Sequence, residues 1–349
     1  MVKTHNSDLP CYFNNVRACA DALAPNALAG KNVLVTGATG LLGRTVVELL
    51  ACLPGCVPHA LVRGEQGMPP FVGACTVIGG GLAGLRACCA EFDHIVHCAS
   101  PSDPASFARS PADVLRVNVE YAQCLLERLR HQGHGRLCLV SSGEVYGVTE
   151  ACDAVFIEET ICSVDVANVR SCYPIGKMAA EALCVAYRAQ YGVESVVARP
   201  CHLFGPNFKP EDSHAVCAFL QKALAGRPIQ LHSSGNKARN YLYVVDAAAA
   251  IVHLLLCGKA GEAYNIASGD VVSIAGLAKL IGKMADVAVN FPADVPDEAN
   301  ACQRNVLSNT KLLSTGWQQR FPLEQALGNT LASLRYFHSG ALSFADEQG

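Results

Sequence analysis

The strongest restriction on this chain is a glycine-rich turn set between a run of β-formers and a helix. Val33-Leu-Val-Thr36 leads directly into Gly37-Ala-Thr-Gly40-Leu-Leu-Gly43, which opens a helical stretch reaching Leu53. A strand that turns straight into a helix returns to its sheet as a parallel neighbour, because a hairpin is no longer open to it. Each glycine has its own steric reason: Gly37 permits the tight turn, Gly40 lets backbone approach a pyrophosphate, and Gly43 lets helix pack on strand. The helix start then presents unpaired N–H groups, a ready anion site. In this setting the turn reads as a dinucleotide-binding fingerprint, with Gly37, Thr39, Gly40, Leu41, Leu42 and Gly43 as candidate contacts.

The same rhythm continues. Apolar runs recur at Ala60–Val62, His94–His97, Arg136–Val140 and Ser195–Arg199, with helical segments such as Ala112–Gln132 and Tyr173–Tyr191 between most of them. This alternation predicts an α/β fold, a Rossmann-type doubly wound parallel sheet. After Pro200 the rhythm breaks. A Gly/Pro/Asn stretch (Phe204–Pro210) precedes a helix near His214–Leu224, an extended Pro228–Leu231 and helices at Val272–Met284 and Leu323–Tyr336. The expected division is an N-terminal extension without clear periodicity (1–30), a dinucleotide-binding domain (31–200, rejoined by 240–268), and a smaller C-terminal substrate-binding lobe (201–239 and 269–349).

Composition narrows the function. Of 349 residues, 51% are hydrophobic and 16% charged, so core material is ample and little is left for a disordered tail. A net charge of -3 gives no basic field, which excludes nucleic acid as the main partner. It leaves a phosphorylated ligand open, since a few cations and backbone N–H groups suffice. The 18 cysteines are scattered, several at core-like positions (Cys138, Cys184, Cys201, Cys257), and no Cys-x-x-Cys pair occurs. Reduced, buried thiols and no metal are expected, because free cysteine packs as a small hydrophobe and a chain of this size needs no staples. The opening MVKTHNSDLP lacks the apolar stretch of a signal peptide, and the longest apolar run, Ala247–Cys257, is interrupted by His253 and too short to span a bilayer. A soluble, cytoplasmic protein is expected.

Two further segments carry chemistry. Tyr173-Pro-Ile-Gly-Lys177 places a phenol and an ammonium on one helical face, with Pro174 suited to the first turn. A neighbouring cation favours phenolate, so Lys177 is expected to lower the pKa of Tyr173 toward that of a general base. About thirty residues earlier, Val140-Ser-Ser-Gly-Glu-Val-Tyr-Gly147 sets Ser142 at a strand end, where its hydroxyl can bond the same substrate oxygen. Cofactor choice stays open: Arg63 follows the second strand with no acid until Glu65, and it can receive an NADP 2′-phosphate or stack on adenine.

Over roughly residues 30–335 the chain resembles the extended short-chain dehydrogenase/reductases that act on nucleotide-sugars, the NAD-dependent epimerase/dehydratase family. The marks are TGATGLLG (36–43), HCAS (97–100), VNVEYA (117–122), SSGEVYG (141–147), YPIGK (173–177), ARPCHLFGP (198–206), ARNYLYVVDAA (238–248) and SNTKLLSTGW (308–317). It is most similar to the UDP-glucuronate decarboxylases, next to the dTDP-glucose 4,6-dehydratases. Arg170-Ser-Cys-Tyr173 and the CASPSDP stretch (98–104) tilt it toward the former.

The resemblance implies a triad of Ser142, Tyr173 and Lys177, joined by Glu144, with further cofactor contacts from Arg63, Ala99, Ser100, Asn118 and Pro200. It implies substrate contacts from Ser102, Glu144, Tyr173, His202, Arg239 and Arg304, Arg239 being a partner for substrate carboxylate or phosphate. Dehydratases carry an aspartate just before the glutamate, the acid for the departing 6-hydroxyl, and here Gly143 stands instead. His202 replaces the usual asparagine, and Met178 a usual basic residue. The implied reaction oxidises the sugar 4-hydroxyl and loses CO2 from a glucuronosyl C6. A cofactor regenerated each turnover favours NAD over NADP. A homodimer is implied through Ala112–Gln132 and Tyr173–Tyr191. A 4,6-dehydratase or a 4- or 5-epimerase is the alternative, and a non-catalytic dinucleotide-binding regulator the remote one.

Overall fold

Strand β1 (Asn32–Thr36) is buried along nearly its whole length, as a strand covered on both faces must be. The computed structural model that shows this describes residues 11–24, 26–64, 71–147, 155–161, 164–292 and 304–338. β1 lies inside a seven-stranded sheet. On one side stand β2 (Val57–Leu61) and β3 (Thr76–Ile78). On the other stand β4 (His94–His97), β5 (Arg136–Val140), β7 (Glu194–Pro200) and β11 (Ala263–Ile266). Every pairing in it is parallel. Chain order reverses between β1 and β4, and this is where doubly wound sheets open a crevice at the strands' carboxyl ends.

Alternate side chains feed two cores. Val33, Val35, Val96 and Cys138 face the helices α2 (Leu41–Cys52) and α8 (Val244–Cys257). Leu34, Ile95, Leu137 and Leu139 face α5 (Pro111–Gln132) and α6 (Cys172–Tyr191), which pack on each other. The short helices α3 (Gly81–Ala87) and α4 (Pro104–Arg109) complete the connections, Asp103 capping α4 through Ser106 N at 2.8 Å.

The stretch read from sequence as an aperiodic extension holds a helix, α1 (Cys11–Ala22). Its buried positions Tyr12, Val16, Cys19 and Ala20 do keep a helical spacing, but an isolated helix this short is marginal and takes its stability from docking. Tyr12 supplies that. Its N–H donates to Ser333 Oγ (3.1 Å) on α11 (Leu323–His338), and its hydroxyl donates to Glu48 Oε2 (2.7 Å) on α2.

The smaller sheet is built around β10 (Ala238–Tyr243), which runs parallel to β8 (His202–Phe204) and β14 (Arg304–Leu307) and antiparallel to β12 (Val271–Ser273). β6 (Val155–Phe156) joins it beside β14, and β9 (Ile229–Gln230) pairs separately with β13 (Val289–Asn290). Helices α7 (Ala215–Leu224), α9 (Ile274–Ala285) and α10 (Thr310–Ser314) finish this region. Residues 240–243 thus belong to the small sheet, and the chain comes back against the main one only from Val244. Buried asparagines lock the two sheets together. Asn265, on β11, takes the Tyr146 hydroxyl (2.7 Å) and donates to Phe156 O and Ser308 O (both 3.1 Å).

Candidate active site

The glycine turn is tight enough to exclude side chains. Gly37 has φ +67°, and a Cβ there would lie 2.7 Å from Ala99 N; one at Gly43 would lie 2.2 Å from Gly37 O. α2 begins at Gly40 with no side-chain cap, leaving first-turn N–H groups for an anion. Thr36 Oγ1 accepts from Ala99 N (3.2 Å) and lies 2.7 Å from His97 Nδ1, tying the ends of β1 and β4 together. Burial, reinforced by Lys177, pushes His97 down to about 3, so its ring is neutral. Asn118 donates to Val114 O (2.8 Å), while its buried Oδ1 has no protein partner. A turn closed to any Cβ suits a dinucleotide, and the orphaned Asn118 acceptor, packed against Gly176 of α6, suits a polar ligand group. Thr39 and Arg63 are exposed at its rim; Leu41, Leu42, Ser100 and Pro200 are half-buried.

One strand over, the carboxyl end of β5 meets the start of α6. Tyr173 is buried, its ring stacked on Phe107 at 4.8 Å between centroids, with Ser142 close enough to favour its phenolate. Lys177 is buried too, its Nζ donating to Val140 O (2.7 Å) and standing 5.9 Å from the centre of the Tyr173 ring. Burial brings Lys177 down to about 8. The expectation that Lys177 lowers the phenol is not what this geometry gives. Burial pushes Tyr173 well above its ordinary range, and the groups acting against that are Ser142 and Arg170, with Glu144 opposing them. Lys177 Nζ gives one of its three N–H donors to Val140 O, and the groups acting on the phenol are Ser142, Arg170 and Glu144.

Glu144 rides on a single 3-10 turn (Gly143–Tyr146) whose start is capped by Ser142 Oγ, accepting from Glu144 N at 3.1 Å. Its carboxylate is held by Arg170 in a two-pronged pair, Nη1 to Oε2 at 2.9 Å and Nη2 to Oε1 at 3.1 Å. A side chain at Gly143 would find Leu307 Cδ1 at 2.8 Å. The other expected substrate residues form a second group. His202 Nε2 accepts from Arg239 Nη1 (3.1 Å), and burial, with Arg239 and His214, pushes His202 down to about 3. Ser102 is exposed ahead of α4. Arg304 contributes backbone to β14 beside Ala238; its side chain lies outside the described residues.

Sequence reasoning missed Phe107, Asp212 and His214. His214, at the start of α7, bonds Asp212 at 2.6 Å, which raises its pKa, and Glu144 and Asp103 add to the rise. It therefore lies within electrostatic reach of both groups. Asp212-Ser-His214 has no spacing that marks it in the sequence, since only the turn before α7 brings the two side chains together.

With fold and site in view, comparison with known proteins is informative. The model of the NAD dependent epimerase/dehydratase family matches residues 33–267, well over half the chain. The chain belongs to that family. Among curated relatives, UDP-glucuronic acid decarboxylase 1 of Xenopus tropicalis is 31% identical over 247 residues, 70% of this chain and 57% of that protein. UDP-glucuronic acid decarboxylase 6 of Arabidopsis thaliana is 27% identical over 68% of each chain. The chain thus spans somewhat more than half of the frog relative it matches. Of solved structures, the UDP-glucose 4-epimerase of Thermus thermophilus, complexed with NAD, is 25% identical with a TM-score of 0.74, covering 87% of this chain and 99% of that one. The dTDP-glucose 4,6-dehydratase of Bacillus anthracis, at 21% identity and TM-score 0.72 over 89% and 97%, shares the fold.

Proposed function

We propose that the protein is an NAD-dependent enzyme acting on the C4 hydroxyl of a nucleotide-sugar, and that it decarboxylates UDP-glucuronate to a UDP-pentose. The observation that carries this reading is Tyr173 buried at the start of α6 beside the carboxyl end of β5, where Lys177 bonds Val140 O and the Glu144–Arg170 ion pair stands on the turn that follows Ser142. Tyr173 takes the proton of the 4-hydroxyl while Ser142 holds the same oxygen. The glycine turn and the uncapped start of α2 would hold NAD, which would supply a reversible hydride acceptor for C4. A C4 ketone stands β to the C6 carboxylate, so the bond to CO2 breaks with its electron pair drawn into the carbonyl. Glu144 is the carboxylate available to orient water for the proton that C5 then needs. Dehydration instead requires an acid at position 143, where glycine stands against Leu307.

Incubation with UDP-glucuronate should release CO2 and a UDP-pentose; neither product would sink the proposal. A 4-keto-6-deoxy sugar formed from a neutral hexose nucleotide would establish dehydration, and a hexuronic product keeping its carboxylate would establish epimerisation. Mass spectrometry of nucleotides released from denatured protein should find NAD; NADP would point to Arg63 as a 2′-phosphate ligand. The proposal includes a homodimer through α5 and α6, where Leu115, Met178 and Val185 are exposed apolar residues, to be checked by light scattering. It also includes a cytoplasmic location. Burial raises the thiols of Cys19 and Cys184 to about 12, inert groups suited to a reducing compartment. No helix among the described residues is long and apolar enough to cross a membrane.

A further inference from the structure

Stability does not account for the Glu144–Arg170 pair. Exposed ion pairs contribute little, and Arg170 is 58% and Glu144 32% exposed. Yet this pair joins two short turns from distant parts of the chain and sets both charges beside Tyr173, each acting on its phenol. Arg170 is also firmly placed. Asn168 Oδ1 accepts from Arg170 N (2.9 Å), and the guanidinium lies 5.7 Å from the centre of Phe107, the ring that stacks on Tyr173.

On the function proposed above, a uronic acid must bring its own carboxylate to a place already holding Glu144, with Asp103 and Asp212 around the neighbouring His214. Like charges this close disfavour such a ligand unless a cation answers them. A guanidinium carries more N–H donors than one carboxylate can take. Among the described residues, the side-chain hydrogen bonds of Arg170 go only to Glu144. Among the described side chains, Arg239, another candidate cation, is turned to His202. We infer that Arg170 selects for uronic acids, its guanidinium bridging Glu144 and the C6 carboxylate of the substrate. A neutral hexose nucleotide brings no second carboxylate to the donors that Arg170 has left, and gains little from it. Arg239 then serves the part of the ligand common to both.

The test is calorimetric titration of NAD-loaded protein with UDP-glucuronate and with UDP-glucose, in a Tyr173→Phe background that prevents turnover. Arg170→Gln should weaken UDP-glucuronate by roughly 10- to 100-fold, the loss of a charge-assisted fork, and UDP-glucose by less than about threefold. Arg239→Gln should weaken both alike. An unchanged preference in Arg170→Gln, or a uronate-specific loss in Arg239→Gln, would overturn the inference. CO2 release by the unsubstituted enzyme is read separately. No CO2 with a uronate-specific loss at Arg170 sinks the decarboxylation reading and keeps this one; CO2 with an unchanged preference does the reverse.

Discussion

The two halves of the site are made of different material. The dinucleotide side is backbone: a turn closed to any Cβ at Gly37 and Gly43, a helix start without a side-chain cap, and a threonine joining adjacent strand ends. The sugar side is made of charged side chains on short turns, Glu144 on one, Arg170 on another, and His214 with Asp212 on a third. A backbone cradle tolerates almost no change but recognises only what all such cofactors share. Paired side chains are easily altered, which suits the proposed role of this side in telling one sugar from another.

Substitutions should expose this contrast. The largest effect belongs to Tyr173→Phe, which removes the proposed base: turnover should fall by about 10²- to 10⁴-fold while the released cofactor stays in its usual amount. A fall in cofactor content would mean that the phenol serves the cradle instead. Next, Arg199→Ala strands Glu181, whose carboxylate Arg199 holds at 2.7 and 3.1 Å where both side chains are largely buried. Urea unfolding should show a loss of about 3–5 kcal/mol, because a nearly buried charge is left without its partner. Gly43→Ala forces a methyl against Gly37 O and should cost about 1–3 kcal/mol and most cofactor binding. By comparison Gly143→Ala is crowded by the end of the Leu307 side chain, which can yield, with Pro200 O at an ordinary 3.4 Å, and should cost under about 1 kcal/mol.

A pH series sets the halves side by side. His97, in the cradle, and His202, on the sugar side, are both lowered from 6.5 to about 3 by burial. Between those values the unfolded chain binds protons that the folded one refuses, so stability rises with pH across the window and is lost as pH falls through it. His202→Asn should flatten that loss while the cradle keeps its share; an unchanged acid limb would show that His202 does not carry it.

Much of this organisation could be read from residues in order. The strands of the main sheet declared themselves because a strand covered on both faces is apolar without alternation, and the glycine turn because its spacing has a steric cause. The α1 helix was missed although Tyr12, Val16, Cys19 and Ala20 lie on one face. Its strongest anchors, Ser333 and Glu48, lie far along the chain. The lowered phenol was a one-helix argument, and it left out burial, which depends on what packs around the helix and pushes Tyr173 the other way.

By itself, then, the sequence determined the sheet, the cradle and the proximity of Tyr173 to Lys177, since each follows from spacing along a few consecutive residues. Only the tertiary structure decided which polar side chains meet. Arg170 reaches Glu144 across twenty-six residues, and Arg239 reaches His202 across thirty-seven. Such pairs are set by where separate turns end up in space, and no local propensity carries that information.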